Sequence, residues 1–509
     1  MSENTSQMAL SADAPATKPR VPKRIAAVII NSLKGGVVPR IGLPYVTVGR
    51  ETEIRALLHD LDLIANGGAS FRFLVGRYGA GKSFLLQTIR THAMGKGFVV
   101  ADADLSPERR LQGTAGQGLA TYRELIRNLS TKTRPEGGAL QLVLDRWVAT
   151  IDASPAGAEA ALAAACAPLE EMVHGFDFAR ILRAYHEAST QGDDERRAAV
   201  LRWLRGEYRT KTEARGELGI SCCIGDDDWY DYLKLLAQFL VGAGYQGMLV
   251  LIDELVNLYK IPNAITRQYN YEKILTMYND TLQGKAHHLG IIMGGTPQSI
   301  EDRRRGVYSY EALRSRLAEG RFAREGMYDM LAPVIKLNPL TYEELLVLTE
   351  KLSDIHAGYF GYERTLGTED LVRFLQLEYG RVGADTHLTP REVIRDFVEL
   401  LDILHQNPGT TIESILAGDG SCGANMPSNV NAPVTTTSAA GGMPSDANTP
   451  AITTSASGNT ASAAAPNGGV TLAGAAPSGS AAAGTASTIA GASRPAEGAS
   501  NRDFSGFKL

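Results

Sequence analysis

Phe71-Arg-Phe-Leu-Val-Gly-Arg-Tyr-Gly-Ala-Gly-Lys-Ser83 joins a short apolar run to a glycine-rich turn. The run Phe71–Val75 has the aromatic and branched character of a buried strand. The turn, Gly76-Arg77-Tyr78-Gly79-Ala80-Gly81-Lys82-Ser83, fits GxxxxGK(S/T) at every fixed position. Helical spacing follows from Ser83 to Ala93. Strand, glycine turn and helix in that order make a phosphate cradle. The glycines let successive N–H groups turn toward a phosphate. The helix N-terminus adds partial positive charge. Lys82 is expected to reach the β- and γ-phosphates, and Ser83 to ligate Mg²⁺. Gly76 to Ser83, with Phe84 next to them, are the expected ATP-binding residues.

A second stretch supplies the complementary chemistry. Gly247-Met-Leu-Val-Leu-Ile-Asp-Glu254 carries an apolar strand with two carboxylates at its C-terminal end. Ligands of open α/β sheets bind at that end of the strands. Asp253 is expected in the Mg²⁺ shell, and Glu254 as the base that polarises the attacking water. Leu289-Gly-Ile-Ile-Met-Gly-Gly-Thr296 reads as the next core strand. Thr296 either contacts the γ-phosphate or water, or is a satisfied strand-end hydroxyl.

Four arginine-bearing segments surround these motifs. Arg314 and Arg316, in Leu313-Arg-Ser-Arg-Leu317, are candidates for a finger on a neighbouring subunit's ATP. The alternative is a solvated helix face. Arg391 lies in the first turn of a helix capped by Thr389 and opened by Pro390, where a lid could bring it to the nucleotide. Val48-Gly49-Arg50-Glu51, shortly before the P-loop, reads as the segment beside the adenine or as an ordinary helix start. Arg196, Arg197, Arg202, Arg205, Arg209, Lys211 and Arg215 cluster around Trp203 and Tyr208. Interleaved glutamates favour a solvated face there over a DNA-binding surface.

The chain of 509 residues exceeds one ordinary domain. Its net charge of −5 excludes a global basic field for nucleic acid. Cys166, Cys222, Cys223 and Cys422 have no metal-binding spacing and read as reduced thiols of a cytoplasmic protein. No secretory leader or membrane-spanning run is evident. Residues 1–21 and the Ala/Gly/Ser/Thr-rich stretch 408–502 read as disordered. Residues 503–509, with Phe504, Phe507 and Leu509, read as a short docking peptide or as a chance apolar terminus. Between them lie a first part of the ATPase core (22–119), a helical insertion (120–245), a second part of the core (246–338) and a helical lid (339–407).

The order Gly49-Arg50-Glu51, Gly76–Ser83, Asp253-Glu254, Thr296, Arg314/Arg316 and Arg391 resembles the AAA+ ATPases, nearest the initiator/loader and STAND-like branch. With Gly35–Pro44 and Asp102-Ala-Asp-Leu-Ser-Pro107, residues 22–407 resemble the BrxD group of BREX-system ATP-binding proteins. The resemblance implies an α/β fold, with a parallel AAA+ sheet, a long helical insertion and a helical lid. It also implies a bacterial anti-phage role beside a helicase and a DNA methyltransferase. Those components are the expected protein partners, and DNA and further copies of the chain are candidates. One departure stands out: about 170 residues separate Ser83 from Asp253, far more than in a typical AAA+ core. Two rival functions follow from the same residues: a nucleotide-gated scaffold with little turnover, and an initiator-like DNA-binding ATPase.

Overall fold

Five apolar segments align side by side in a computed structural model that describes residues 21–318, 320, 329, 331–380 and 388–419. They are β1 (Ala69–Val75), β2 (Val99–Asp104), β3 (Met248–Asp253), β4 (Leu289–Gly295) and β5 (Val334–Lys336). All pair in parallel, in the order β2-β3-β4-β1-β5. Parallel strands need crossovers and are covered on both faces, which is why β3 and β4 read as continuous apolar runs. This is the α/β P-loop sheet that the sequence led us to expect.

Alternation along each strand divides the core in two. Leu74, Leu249, Leu251 and Ile292 face the helices Glu51–Ala65 and Lys82–Gly95, meeting Leu57, Leu61, Leu85 and Ile89. Phe73, Val250, Ile291 and Met293 belong to the cluster on the other face. There they join Tyr271, Ile274 and Met277 of the helix Ala264–Leu282 and the apolar faces of the insertion. The insertion runs from the helix Gln117–Arg127 to the helix Trp229–Gly242. It shares one hydrophobic cluster with the sheet, through Tyr122, Trp147, Phe178 and Trp229. Within it the helix Asp194–Leu204 is followed by a second, Lys211–Leu218, which Thr210 caps through Glu213 N.

The lid consists of the helices Tyr342–Phe360, Thr368–Gly380 and Pro390–Gln406. The helix Lys23–Lys34, placed with the first part of the core in the sequence reading, packs here instead. Its stripe of Ala26, Ile29, Ile30 and Leu33 shares a cluster with Leu345, Leu352, Val393 and Phe397. Lys34 Nζ pairs with Asp402 Oδ2 at 2.5 Å, and the buried His356 Nε2 meets Asp402 Oδ1 at 3.1 Å. The chain also stays ordered beyond the expected limit at 408. A further helix, Ile412–Asp419, buries Ile412 in the lid cluster. The remaining low-complexity stretch, residues 503–509, most of 1–21 and Cys422 lie outside the described residues. Among those described, Cys166, Cys222 and Cys223 are free thiols, and no helix is long and apolar enough to cross a membrane.

One buried charge pair fixes β1 to its covering helix. Arg72 donates Nε and Nη2 to Asp60 Oδ2 and Oδ1 at 2.7 and 2.6 Å, and Nη1 to Ala332 O at 2.6 Å. Both side chains are buried. Removing one partner leaves an uncompensated buried charge. Asp60→Ala should therefore lower unfolding stability by about 3–5 kcal/mol. Chemical denaturation checks this; a loss under about 1 kcal/mol would show the pair to be energetically equivalent to a surface contact.

Candidate nucleotide-binding site

The P-loop turns between β1 and the helix Lys82–Gly95. Gly79 and Gly81 have φ of +77° and +96°, a region open to glycine and strained for other residues. At Gly79 a Cβ would also come within 2.5 Å of Thr389 Oγ1, at the start of the lid helix. Lys82 Nζ donates to Gly76 O and Arg77 O at 3.0 and 3.1 Å and lies 5.4 Å from the Tyr78 ring centre. Burial pushes the Lys82 ammonium down, while Asp253 and Glu254 pull it up. Burial also pushes the Tyr78 phenol up, and the same two carboxylates add to that shift.

Ser83 Oγ donates to Asp253 Oδ2 at 2.9 Å. The contact passes over β4, which lies between β1 and β3. It is sterically open because residue 294 is glycine: a Cβ there would fall well inside contact distance of Asp253 Oδ1. Asp253 Oδ1 accepts from Glu254 N at 2.8 Å. Glu254 itself has φ of +63°, a left-handed conformation costing on the order of 1–2 kcal/mol in an L-residue. Leu255 N donates to Gly294 O at 3.0 Å, so the strained residue is pinned on both sides. Strain of this kind clusters at functional sites, and Glu254 lines the cavity beside the P-loop.

That cavity opens to about 1060 Å³ including its mouth, enough for a small-molecule ligand. At one end are Tyr78 to Phe84 and Glu254; at the other an apolar wall includes Leu33, Val37, Val46, Val48, Leu348 and Ile394. A charged end and an apolar end suit a nucleotide's phosphates and base. The lid supplies Arg391, from a helix capped by Thr389 and Glu392. Gly49, at φ +65°, lies against the Glu344 carboxylate of the lid. Arg50, only 6% exposed, donates Nη2 to Ala80 O at 3.1 Å and Nη1 to Glu53 Oε1 at 3.2 Å.

Most of the expected residues therefore converge. Val48, Tyr78, Gly79, Ala80, Gly81, Lys82, Ser83, Phe84, Glu254 and Arg391 line one cavity, and Asp253 joins through Ser83. Gly76 and Arg77 contribute the carbonyls that hold Lys82. Thr296, Arg314 and Arg316 do not line it. Thr296 Oγ1 accepts from Ser299 N at 3.2 Å, capping the helix Pro297–Glu301. Arg314 pairs with Glu311, and Arg316 Nη1 donates to Ala312 O at 2.7 Å. Sequence reading had placed Arg50 only within the segment expected beside the adenine or at a helix start, and had assigned no role to Gly294. A glycine late in an apolar strand was the available signal for the second, since it marks close approach of another group.

The donor set suits Mg²⁺. Ser83 Oγ and Asp253 Oδ2 are hard oxygen ligands at hydrogen-bond separation. Among the described residues no cluster of three or more His, Cys, Asp or Glu could cage a metal. Mg²⁺ commonly takes one or two protein oxygens and completes its shell with water and phosphate. If the route over Gly294 matters, Gly294→Ala should displace Asp253 with little loss of stability. Titration of the purified chain should then show ATP affinity at least about tenfold weaker with Mg²⁺ present, a 1.4 kcal/mol effect. Unchanged affinity would remove Gly294 from the site.

Among curated proteins, none matches the chain. Residues 21–419 match the family described as BREX system ATP-binding protein BrxC/D. The matched span takes in the sheet, the insertion, the lid and both ends of the cavity. The chain belongs to the BrxC/D family of ATP-binding proteins of the BREX system.

Proposed function

We propose that this chain is a Mg²⁺-dependent ATPase of the BrxD type, whose turnover moves the lid and with it a bound partner. The observation that carries the reading is the junction of Ser83, Asp253 and Glu254 at one end of a single cavity. In this reading the P-loop amides and Lys82 bind the phosphates. Ser83 and Asp253 hold Mg²⁺, which when bound neutralises phosphate charge. Glu254 takes a proton from the attacking water, its backbone held by the hydrogen bonds of Glu254 N and Leu255 N. Arg391 closes on the nucleotide from the lid. Because Leu33 and Gly36 line the cavity and the helix Lys23–Lys34 packs in the lid, nucleotide state would bear on both together.

The energy would drive remodelling of a protein–DNA complex or loading of a partner helicase in cytoplasmic phage defence. Helicase and methyltransferase components of the system would be the partners. A second reading draws on Arg314 and Arg316, which stand outside the chain's own cavity. If either is a finger, it acts on another copy, with Thr296 aligning water only in that assembly. The isolated chain is then a nucleotide-gated scaffold with little turnover.

Glu254→Gln separates the readings. A general base contributes about 10²–10⁴-fold to rate, so the variant should lose at least about 100-fold in kcat while ATP affinity stays within a few-fold. Loss of phage protection alongside turnover supports the motor. Full protection without turnover supports the scaffold, and undiminished turnover would remove Glu254 from catalysis.

A further inference from the structure

We propose that Lys34 and Asp402 are positioning residues for the nucleotide base, a latch that sets residues 35–38 as one wall of the cavity. The proposal rests on the reading that the apolar end of the cavity receives the base. Neither residue lines the cavity. They act through the end of the helix Lys23–Lys34. Leu33, Gly36, Val37 and Val38 do line it, so this part of the wall begins where the helix stops. The turn beyond Lys34 is tied back to the helix. Gly35 N donates to Asn31 O at 3.1 Å, Gly36 N to Leu33 O at 2.9 Å and Val37 N to Ser32 O at 2.9 Å. Holding Lys34 therefore holds the wall.

The acceptor that holds Lys34 is itself oriented by a buried histidine, with one consistent order of protons. Burial pushes the Tyr362 phenol up to about 12, so it stays protonated and donates Oη–H to His356 Nδ1 at 2.8 Å. Burial also pushes the His356 imidazole down, so the ring is neutral at pH 7. Its one proton is then on Nε2, which donates to Asp402 Oδ1 at 3.1 Å. Burial would raise the Asp402 carboxyl, but Lys34 and His356 hold it below the usual carboxylate range. The second oxygen, Oδ2, accepts from Lys34 Nζ at 2.5 Å. Asp402 and His356 are buried, whereas the Lys34 side chain is half-exposed. A lysine that could extend into water is thus drawn onto the lid helix Pro390–Gln406 by a fixed anion. Another part of the wall is gripped in a similar way. Lys351, on the same helix as His356, donates Nζ to Thr47 O at 2.8 Å, between the lining residues Val46 and Val48. The phosphate end, built from Tyr78 to Phe84 and Glu254, takes no part in either link.

The test is calorimetric titration of the full chain with MgATP and with magnesium tripolyphosphate, which carries phosphates without a base. The natural chain should prefer ATP. Lys34→Met should weaken ATP binding about tenfold while leaving tripolyphosphate within about twofold. Lys34→Arg, which keeps the cation, should restore most of the ATP affinity. Adding Asp402→Asn to Lys34→Met should cost at most about twofold more, because two halves of one contact are not additive. Tripolyphosphate binding by each variant reports that the phosphate end is folded. Undiminished ATP affinity in Lys34→Met overturns the proposal. So does an equal loss for ATP and tripolyphosphate, or a defect in Lys34→Arg as large as in Lys34→Met. If the natural chain binds tripolyphosphate as tightly as ATP, the reading of the base end fails, and the proposal with it.

Discussion

The hydrogen bond from Ser83 to Asp253, 2.9 Å long and spanning 170 residues of sequence, is the contact on which the site depends. It requires β3 to lie two places from β1 in the sheet, with β4 between them. It requires β4 to present no side chain at Gly294. It also orients Asp253 so that its second oxygen holds Glu254 N and fixes the strained backbone there. Sheet order, one missing Cβ and one strained residue thus combine to place three functional groups at the mouth of the P-loop.

The rest of the molecule is attached to that junction by buried charge. Arg90, on the P-loop helix, donates to Asp102 of β2, to Ser130 Oγ at 2.7 Å and to Pro135 O at 2.6 Å. The helix that carries Lys82 and Ser83 is thereby tied to the first turns of the insertion. On the opposite side Arg50 holds the crest of the P-loop through Ala80 O, and Glu344 of the lid abuts Gly49. The lid therefore meets the segment that holds the P-loop, and the insertion is tied to the helix that follows it. Movement of the loop on nucleotide binding would be felt in both directions, which is how a site this small could govern a chain this large.

Much of this was legible beforehand, for identifiable reasons. A P-loop is a backbone device, so its glycines and lysine declare it in one dimension. The Asp-Glu pair was legible because a strand buried on both faces must be apolar up to the point where it emerges. The helix Ala264–Leu282 was not read, since it buries Arg267, Asn270, Asp280 and Thr281 and so blurs its apolar stripe. The placement of Lys23–Lys34 with the lid was hidden because an amphipathic helix states that it packs, not on what. Arg314 and Arg316 show a similar limit: spacing from a strand does not fix which cavity a side chain faces, and neither lines this one. Gly294 was visible as a residue, yet its role appears only when Asp253 is seen leaning over it.

The most direct test of the account is ATP affinity measured by calorimetry on the full chain, with and without Mg²⁺, for the natural protein and for Asp253→Asn. The account predicts tighter binding with Mg²⁺ in the natural chain and loss of that difference in the variant, because Ser83 and Asp253 form the metal's protein ligands. Equal affinity with and without Mg²⁺, or a Mg²⁺ effect that survives Asp253→Asn, would contradict it.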